Sequence, residues 1–138
     1  LRPFFDYTDR GVFVLCLTSN PGAVDFQLPD LHLQVAKKVQ EWNVSGNAGL
    51  VVGATRSDKI AAVRKISGQM PFLIPGVGSQ RGELKNTLLF AEDGSKIPYL
   101  INASRSILYA SSGEDFAQQA GNAAKELRDQ INLYRSFL

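Results

Sequence analysis

Two loops in this sequence carry the residue types that grip an anion. Pro75-Gly76-Val77-Gly78-Ser79-Gln80-Arg81-Gly82-Glu83 combines glycines, which let backbone come close to a ligand, with successive N–H groups able to form an anion-binding nest. Gln80 adds an amide donor. Farther on, Asn102-Ala103-Ser104-Arg105-Ser106 offers a guanidinium and more N–H groups, the pairing that holds phosphate by charge-assisted hydrogen bonds. The plain alternative is that Gly76 and Gly78 only shape a tight turn and Arg105 is a surface charge. In a third loop, Thr18-Ser19-Asn20-Pro21-Gly22-Ala23, Ser19 and Asn20 are short hydrogen-bonding side chains suited to an amide-bearing ligand. They are equally at home in an ordinary Pro-Gly turn.

Other chemistry has less support. His32 has no second His, Cys or acidic cluster at ligand spacing, so no metal site is expected. Cys16 lies inside an apolar run without a nearby base and reads as core rather than nucleophile. Trp42 fits an apolar stripe, and Lys37, Lys38, Lys125 and Arg128 read as solvated helix faces. No pair of carboxylates stands beside a lysine at a spacing suited to acid–base work.

The loops need elements to hold them, and short apolar runs alternate here with helix-period segments. Val12-Phe13-Val14-Leu15-Cys16-Leu17 is a β-rich run without charge, which predicts a strand buried on both faces. After the first loop, Asp30 is placed to cap a helix carrying Leu31, Val35, Val39 and Trp42 inward, closed by Gly46. Leu50-Val51-Val52-Gly53-Ala54 predicts a second strand. Ser57 then caps a helix with Ile60, Val63 and Ile66 inward, stopping at Gly68. Phe72-Leu73-Ile74 leads into the glycine-rich loop and a shorter helix over Leu84 to Ala91. Tyr99-Leu100-Ile101-Asn102-Ala103 is the fourth strand, and a last helix carries Phe116, Leu127, Ile131 and Tyr134 on one face.

Four such β/α units require a parallel sheet. Periodicity leaves two architectures open: an open doubly wound sheet, or half of a (β/α)8 barrel. Both gather function in the loops after the strands. The absence of a Gly-x-Gly-x-x-Gly after the first strand, and of a P-loop lysine, weakens the nucleotide-binding open sheets.

Composition sets outer bounds. The 138 residues suffice for one domain, and 44% hydrophobic with 20% charged residues is an ordinary globular balance. The net charge of +2 is scattered, which argues against nucleic-acid binding. No run approaches the length of a membrane span. The single cysteine fits a reducing compartment, hence the cytoplasm. Leu1 to Tyr7 reads as the tail of an element that begins earlier, so the sequence is expected to start within a longer protein.

Taken together, the loops resemble the orotidine 5′-phosphate decarboxylase family, over essentially the whole chain. Thr18 to Ala23 looks like the loop after strand five, Gly49-Leu50-Val51-Val52-Gly53-Ala54-Thr55 like the strand-six signature, Pro75 to Gln80 like the phosphate loop after strand seven, and Ser104-Arg105-Ser106-Ile107 like the loop after strand eight. The wording is closest to the longer bacterial branch. The resemblance implies that residues 1–138 are one partial domain, the C-terminal half of a (β/α)8 TIM barrel, with the N-terminal half absent. It implies an enzyme that converts orotidine 5′-phosphate to UMP and CO2 without metal or cofactor, as a homodimer. It assigns Ser19 and Asn20 to the base, and Gln80, Arg105 and Ser104 to the 5′-phosphate, with Pro75, Gly76 and Gly78 shaping the loop.

The sequence also departs from the pattern. Arg81 and Glu83 stand where the family usually has a second glycine and an aspartate. More important, the Asp-x-Lys-x-x-Asp motif, whose lysine protonates the C6 carbanion, does not occur. No catalytic residue is therefore expected in this chain. Two other readings stay open: another phosphate-binding barrel acting on a sugar phosphate, and a non-catalytic half-barrel that binds nucleotides.

Overall fold

The computed structural model of the chain describes residues 1–77, 81–91 and 98–137. In chain order the elements are α1 (Arg2–Phe5), β1 (Val12–Leu17), α2 (Ala23–Phe26), α3 (Leu31–Trp42), β2 (Ala48–Val52), α4 (Ser57–Ser67), β3 (Phe72–Pro75), α5 (Arg81–Ala91), β4 (Tyr99–Asn102), α6 (Arg105–Leu108) and α7 (Phe116–Arg135). The strands form one sheet in the order β1-β2-β3-β4, every pair parallel.

That order decides between the two architectures. A doubly wound sheet reverses its strand order and carries helices on both faces. Here the order is strictly sequential, and among the described residues the helices pack against one face. Val14, Leu50, Phe72 and Tyr99 stand opposite one another in register and join the core with Leu17, Val52 and Ile74. The other row, Leu15, Val51, Leu73 and Leu100, is equally in register, yet Leu15 is 59% and Leu100 56% exposed. This is the winding of a (β/α)8 barrel, four strands of it, seen with its interior face bare.

The expectation that β1 is buried on both faces therefore fails, because among the described residues the helices cover one side only. A register shift between Leu15 and Leu17 puts Leu17 opposite Val52, so two consecutive residues, Cys16 and Leu17, are both buried. Burial pushes the Cys16 thiol from its ordinary 9.0 to about 12, a backbone hydrogen bond from Ala36 opposing slightly.

The helices depart from expectation at their ends and faces. Asp30 precedes α3 but makes no side-chain cap hydrogen bond, and Arg56 rather than Ser57 stands at the N-cap of α4. α3 ends at Trp42, four residues before Gly46. It buries His32, Ala36 and Val39, while Leu31 and Trp42 are exposed and line an apolar groove with Val14 and Leu15 beside the open β1 edge. In α4, Ile60 and Val63 are buried as expected, and so is Arg64, 2% exposed. Its guanidinium lies 3.5 Å from the Phe72 ring centroid and donates to the carbonyls of Ala91, Gly68 and Met70. One side chain thus ties α4 to β3 and α5. The cation–π contact and three carbonyl acceptors offset part of the cost of burying that charge. α7 presents Leu127, Ile131 and Tyr134 to the core, but Phe116 is exposed.

Candidate functional site

Parallel strands put every β-to-α loop at the same end of the sheet, where barrel sites are built. Ser19 follows β1, Gly53 follows β2, Gly76 follows β3, and Ser104 and Arg105 follow β4. The structure thus brings the three loops singled out by sequence to one rim.

Ser19, in the loop after β1, lies against the loops after β2 and β3. A Cβ added to Gly53 would collide with the Ser19 Oγ and lie 2.8 Å from its backbone N, and one added to Gly76 would lie 3.2 Å from the same Oγ. Both glycines leave room for this serine. Gly76 also has φ +83°, which strains any residue with a side chain. The Ser19 Oγ is buried and makes no hydrogen bond, so among the described residues it keeps its donor and acceptor capacity. Its carbonyl accepts from the Thr55 hydroxyl at 3.4 Å, and the Leu17 carbonyl just before accepts the Gly53 N–H at 2.8 Å.

Asn20 is used differently. Its Oδ1 accepts the Thr18 hydroxyl, its carbonyl accepts the Ala23 N–H at 3.1 Å, and its side chain is exposed. The loop itself engages this residue.

Between the ends of β3 and β4 lies an open cleft of about 580 Å³, walled by Pro75, Gly76 and Val77 on one side and by Asn102 to Ser106 on the other. Ser104 precedes α6, and its hydroxyl donates to Asn102 Oδ1 at 3.1 Å. The first N–H groups of such a turn have no intrahelical acceptor. Arg105 is exposed and forms no ion pair among the described residues. Of the other expected contacts, Gln80 and Gly78 lie outside the described residues, and so do the side chains of Arg81 and Glu83.

The remaining candidates take structural places. His32 is buried, with Nδ1 2.9 Å from the Gln27 carbonyl. Cys16 is buried and points its Sγ at the His32 carbonyl, 3.2 Å away. Among the described residues no three His, Cys, Asp or Glu side chains gather as metal ligands, and no helix is long and apolar enough to cross a membrane. Sequence reasoning missed Gln27, an ordinary polar residue with no motif of its own, and gave Thr55 no role beyond its place in the strand-six signature; both brace the Ser19 loop.

Comparison with known proteins gives the same picture over nearly the full chain. A family model described as "Orotidine 5'-phosphate decarboxylase / HUMPS family" matches residues 4–120. The chain is 49% identical to an orotidine 5′-phosphate decarboxylase of Azoarcus sp. (strain BH72), which covers 96% of this chain and 52% of that relative. It is 46% identical to one of Dehalococcoides mccartyi, covering 98% and 53% respectively. Among solved structures, the OMP decarboxylase of Leishmania donovani superposes with a TM-score of 0.82 at 40% identity, over 98% of this chain and 52% of that one. At 22% identity a Methanocaldococcus jannaschii structure still gives a TM-score of 0.71, which speaks for the fold alone. The chain spans about half the length of the curated relatives it matches. With its sequential four-stranded arc, its one-sided helices and its loops on one rim, the chain belongs to the orotidine 5′-phosphate decarboxylase / HUMPS family and forms half of a (β/α)8 barrel.

Proposed function

We propose that residues 1–138 are the second half, strands five to eight, of an orotidine 5′-phosphate decarboxylase barrel, and that this half binds the base and the 5′-phosphate. The observation that carries the reading is the placement of Ser19. Its buried hydroxyl, unpartnered among the described residues, is wedged between Gly53 and Gly76, the latter lining the cleft that Arg105 also lines. A nucleotide lying across that rim puts its pyrimidine amide at Ser19 and its phosphate at Arg105, the Ser104 and Arg105 N–H groups and Gln80. Asn20 supports the base end by holding the loop.

Binding here contributes to catalysis at a distance. Phosphate contacts of this type are worth about 1.5–3 kcal/mol each, and energy from a non-reacting part of the substrate can be spent on closing and orienting the site. Loss of CO2 leaves an electron pair at C6 that needs a proton. No Asp-x-Lys-x-x-Asp motif is present in this sequence to deliver it, so the first half of the barrel supplies the lysine and its carboxylates. The working enzyme in this reading needs no metal or cofactor, forms a homodimer, and makes UMP for pyrimidine synthesis. The lone buried thiol, free of any disulfide, agrees with a cytoplasmic location.

The test joins residues 1–138 to the first half-barrel of the Azoarcus relative and follows conversion of orotidine 5′-phosphate to UMP. Turnover is expected. Arg105→Ala should then lower kcat/KM by about 2–3 kcal/mol, with Lys38→Ala, on the exposed face of α3, leaving it unchanged. A folded hybrid without turnover, or equal losses from both substitutions, would sink the assignment.

A further inference from the structure

The loop after β1 is braced by a side chain outside the set assigned to the ligand. Gln27 follows α2 directly. Its Oε1 accepts the Thr18 N–H at 2.8 Å, and its Nε2 donates to the Thr18 Oγ1 at 2.9 Å. β1 lies at one edge of the sheet. Toward β2 the chain is fixed by the Gly53 N–H on the Leu17 carbonyl. Successive residues of a parallel strand turn their hydrogen-bonding groups to opposite sides, so Thr18 faces away from β2, and there the Gln27 carboxamide meets it.

The direction of these bonds matters. With Nε2 donating to its oxygen, the Thr18 hydroxyl is free to give its own proton to Asn20 Oδ1. Gln27 is anchored in turn: its carbonyl accepts the His32 N–H at 3.1 Å and lies 2.9 Å from the His32 Nδ1, and His32 is 1% exposed. A chain of hydrogen bonds therefore runs from the buried face of α3 through Gln27 and Thr18 to Asn20. Ser19 is the residue enclosed between the last two.

We propose that Gln27 is a positioning residue for base recognition: its carboxamide fixes Thr18 on both backbone and side chain and so aims the Ser19 hydroxyl, without itself touching the ligand. This rests on the reading of Ser19 as the base contact. A carboxamide suits the task because it presents one acceptor and one donor at a fixed separation. Glutamate keeps the acceptor for the Thr18 N–H but draws the Thr18 hydroxyl proton away from Asn20. Methionine fills similar volume and offers neither.

The experiment titrates UMP and ribose 5-phosphate into the full chain. Both carry the 5′-phosphate and only UMP carries the base, so the ratio of their dissociation constants isolates base recognition. Gln27→Met is expected to cut the preference for UMP about tenfold, the equivalent of one or two ordinary hydrogen bonds, with ribose 5-phosphate affinity unchanged. Gln27→Glu should recover part of the preference. A wild-type ratio in Gln27→Met overturns the positioning role. Wild-type chain that binds neither ligand, or both equally, instead overturns the base-reading assignment beneath it, and shows this before any variant is made. Should Gln27→Met also lose ribose 5-phosphate, Thr18→Val decides. A severalfold smaller ratio there upholds the relay, and an unchanged ratio overturns it.

Discussion

The two faces of this sheet are built from the same kinds of residue and have opposite fates. On the helix side Leu50, Phe72 and Ile74 are completely buried; on the other, Leu15 and Leu100 are more than half exposed, although all five are apolar residues on the same four strands. Apolar character alone therefore does not say what a chain buries by itself. The helix side is a finished core, clamped by Arg64 against Phe72. The bare side is part of a layer, since the interior of a (β/α)8 barrel is filled by side chains from all its strands.

Substitutions in neighbouring residues can break or sharpen that contrast. Phe72→Ala should cost the most, about 3–5 kcal/mol in denaturant unfolding, because it opens a cavity and removes the ring under Arg64. Arg64→Met comes next at about 2–4 kcal/mol, since the Ala91, Gly68 and Met70 carbonyls lose their donor. Phe72 and Arg64 touch, so the double variant should lose less than the sum.

Cys16 tests the same core by pH. Its thiol is held neutral in the folded chain, so its contribution is complete below the unfolded value near 9.0 and is lost as pH rises toward about 12. The stability gap between wild type and Cys16→Ala should shift by about 1 kcal/mol between pH 8 and pH 10, wild type losing more. A constant gap would mean that water reaches the thiol. Leu100→Ala, on the strand neighbouring that of Phe72 but on the bare side and 56% exposed, should cost the chain less than about 1 kcal/mol. A loss comparable to Phe72→Ala would show that something already covers that face.

Strand positions and rim loops were legible in the sequence because they depend on local pattern: apolar runs, then glycine, proline or a short polar residue. Ser19, Gly76, Ser104 and Arg105 were found that way. The bare row was not legible, because a continuous apolar run reads the same whether one face or two are covered. The orientation of α3 escaped for a related reason: Leu31 and Trp42 of its stripe stand exposed along the groove at the open edge, Val35 is only half-buried, and the core takes His32 and Ala36 beside Val39. The wedge of Ser19 between Gly53 and Gly76 and the Gln27 brace are contacts through space with no periodic trace. Gln80, central to the expected phosphate grip, lies outside the described residues, and its role stands on the family resemblance.

The consecutive strand order carries a consequence for how such a molecule comes into being. Each strand pairs with the one synthesised just before it, so every docking step closes only the short loop of a single β/α unit. Loop-closure entropy grows with the logarithm of length, and low contact order favours fast formation. An arc of this kind can assemble stepwise as it leaves the ribosome, each unit finding its template already in place. Joining the last strand to the first of a complete barrel is the one step that must wait for the whole chain.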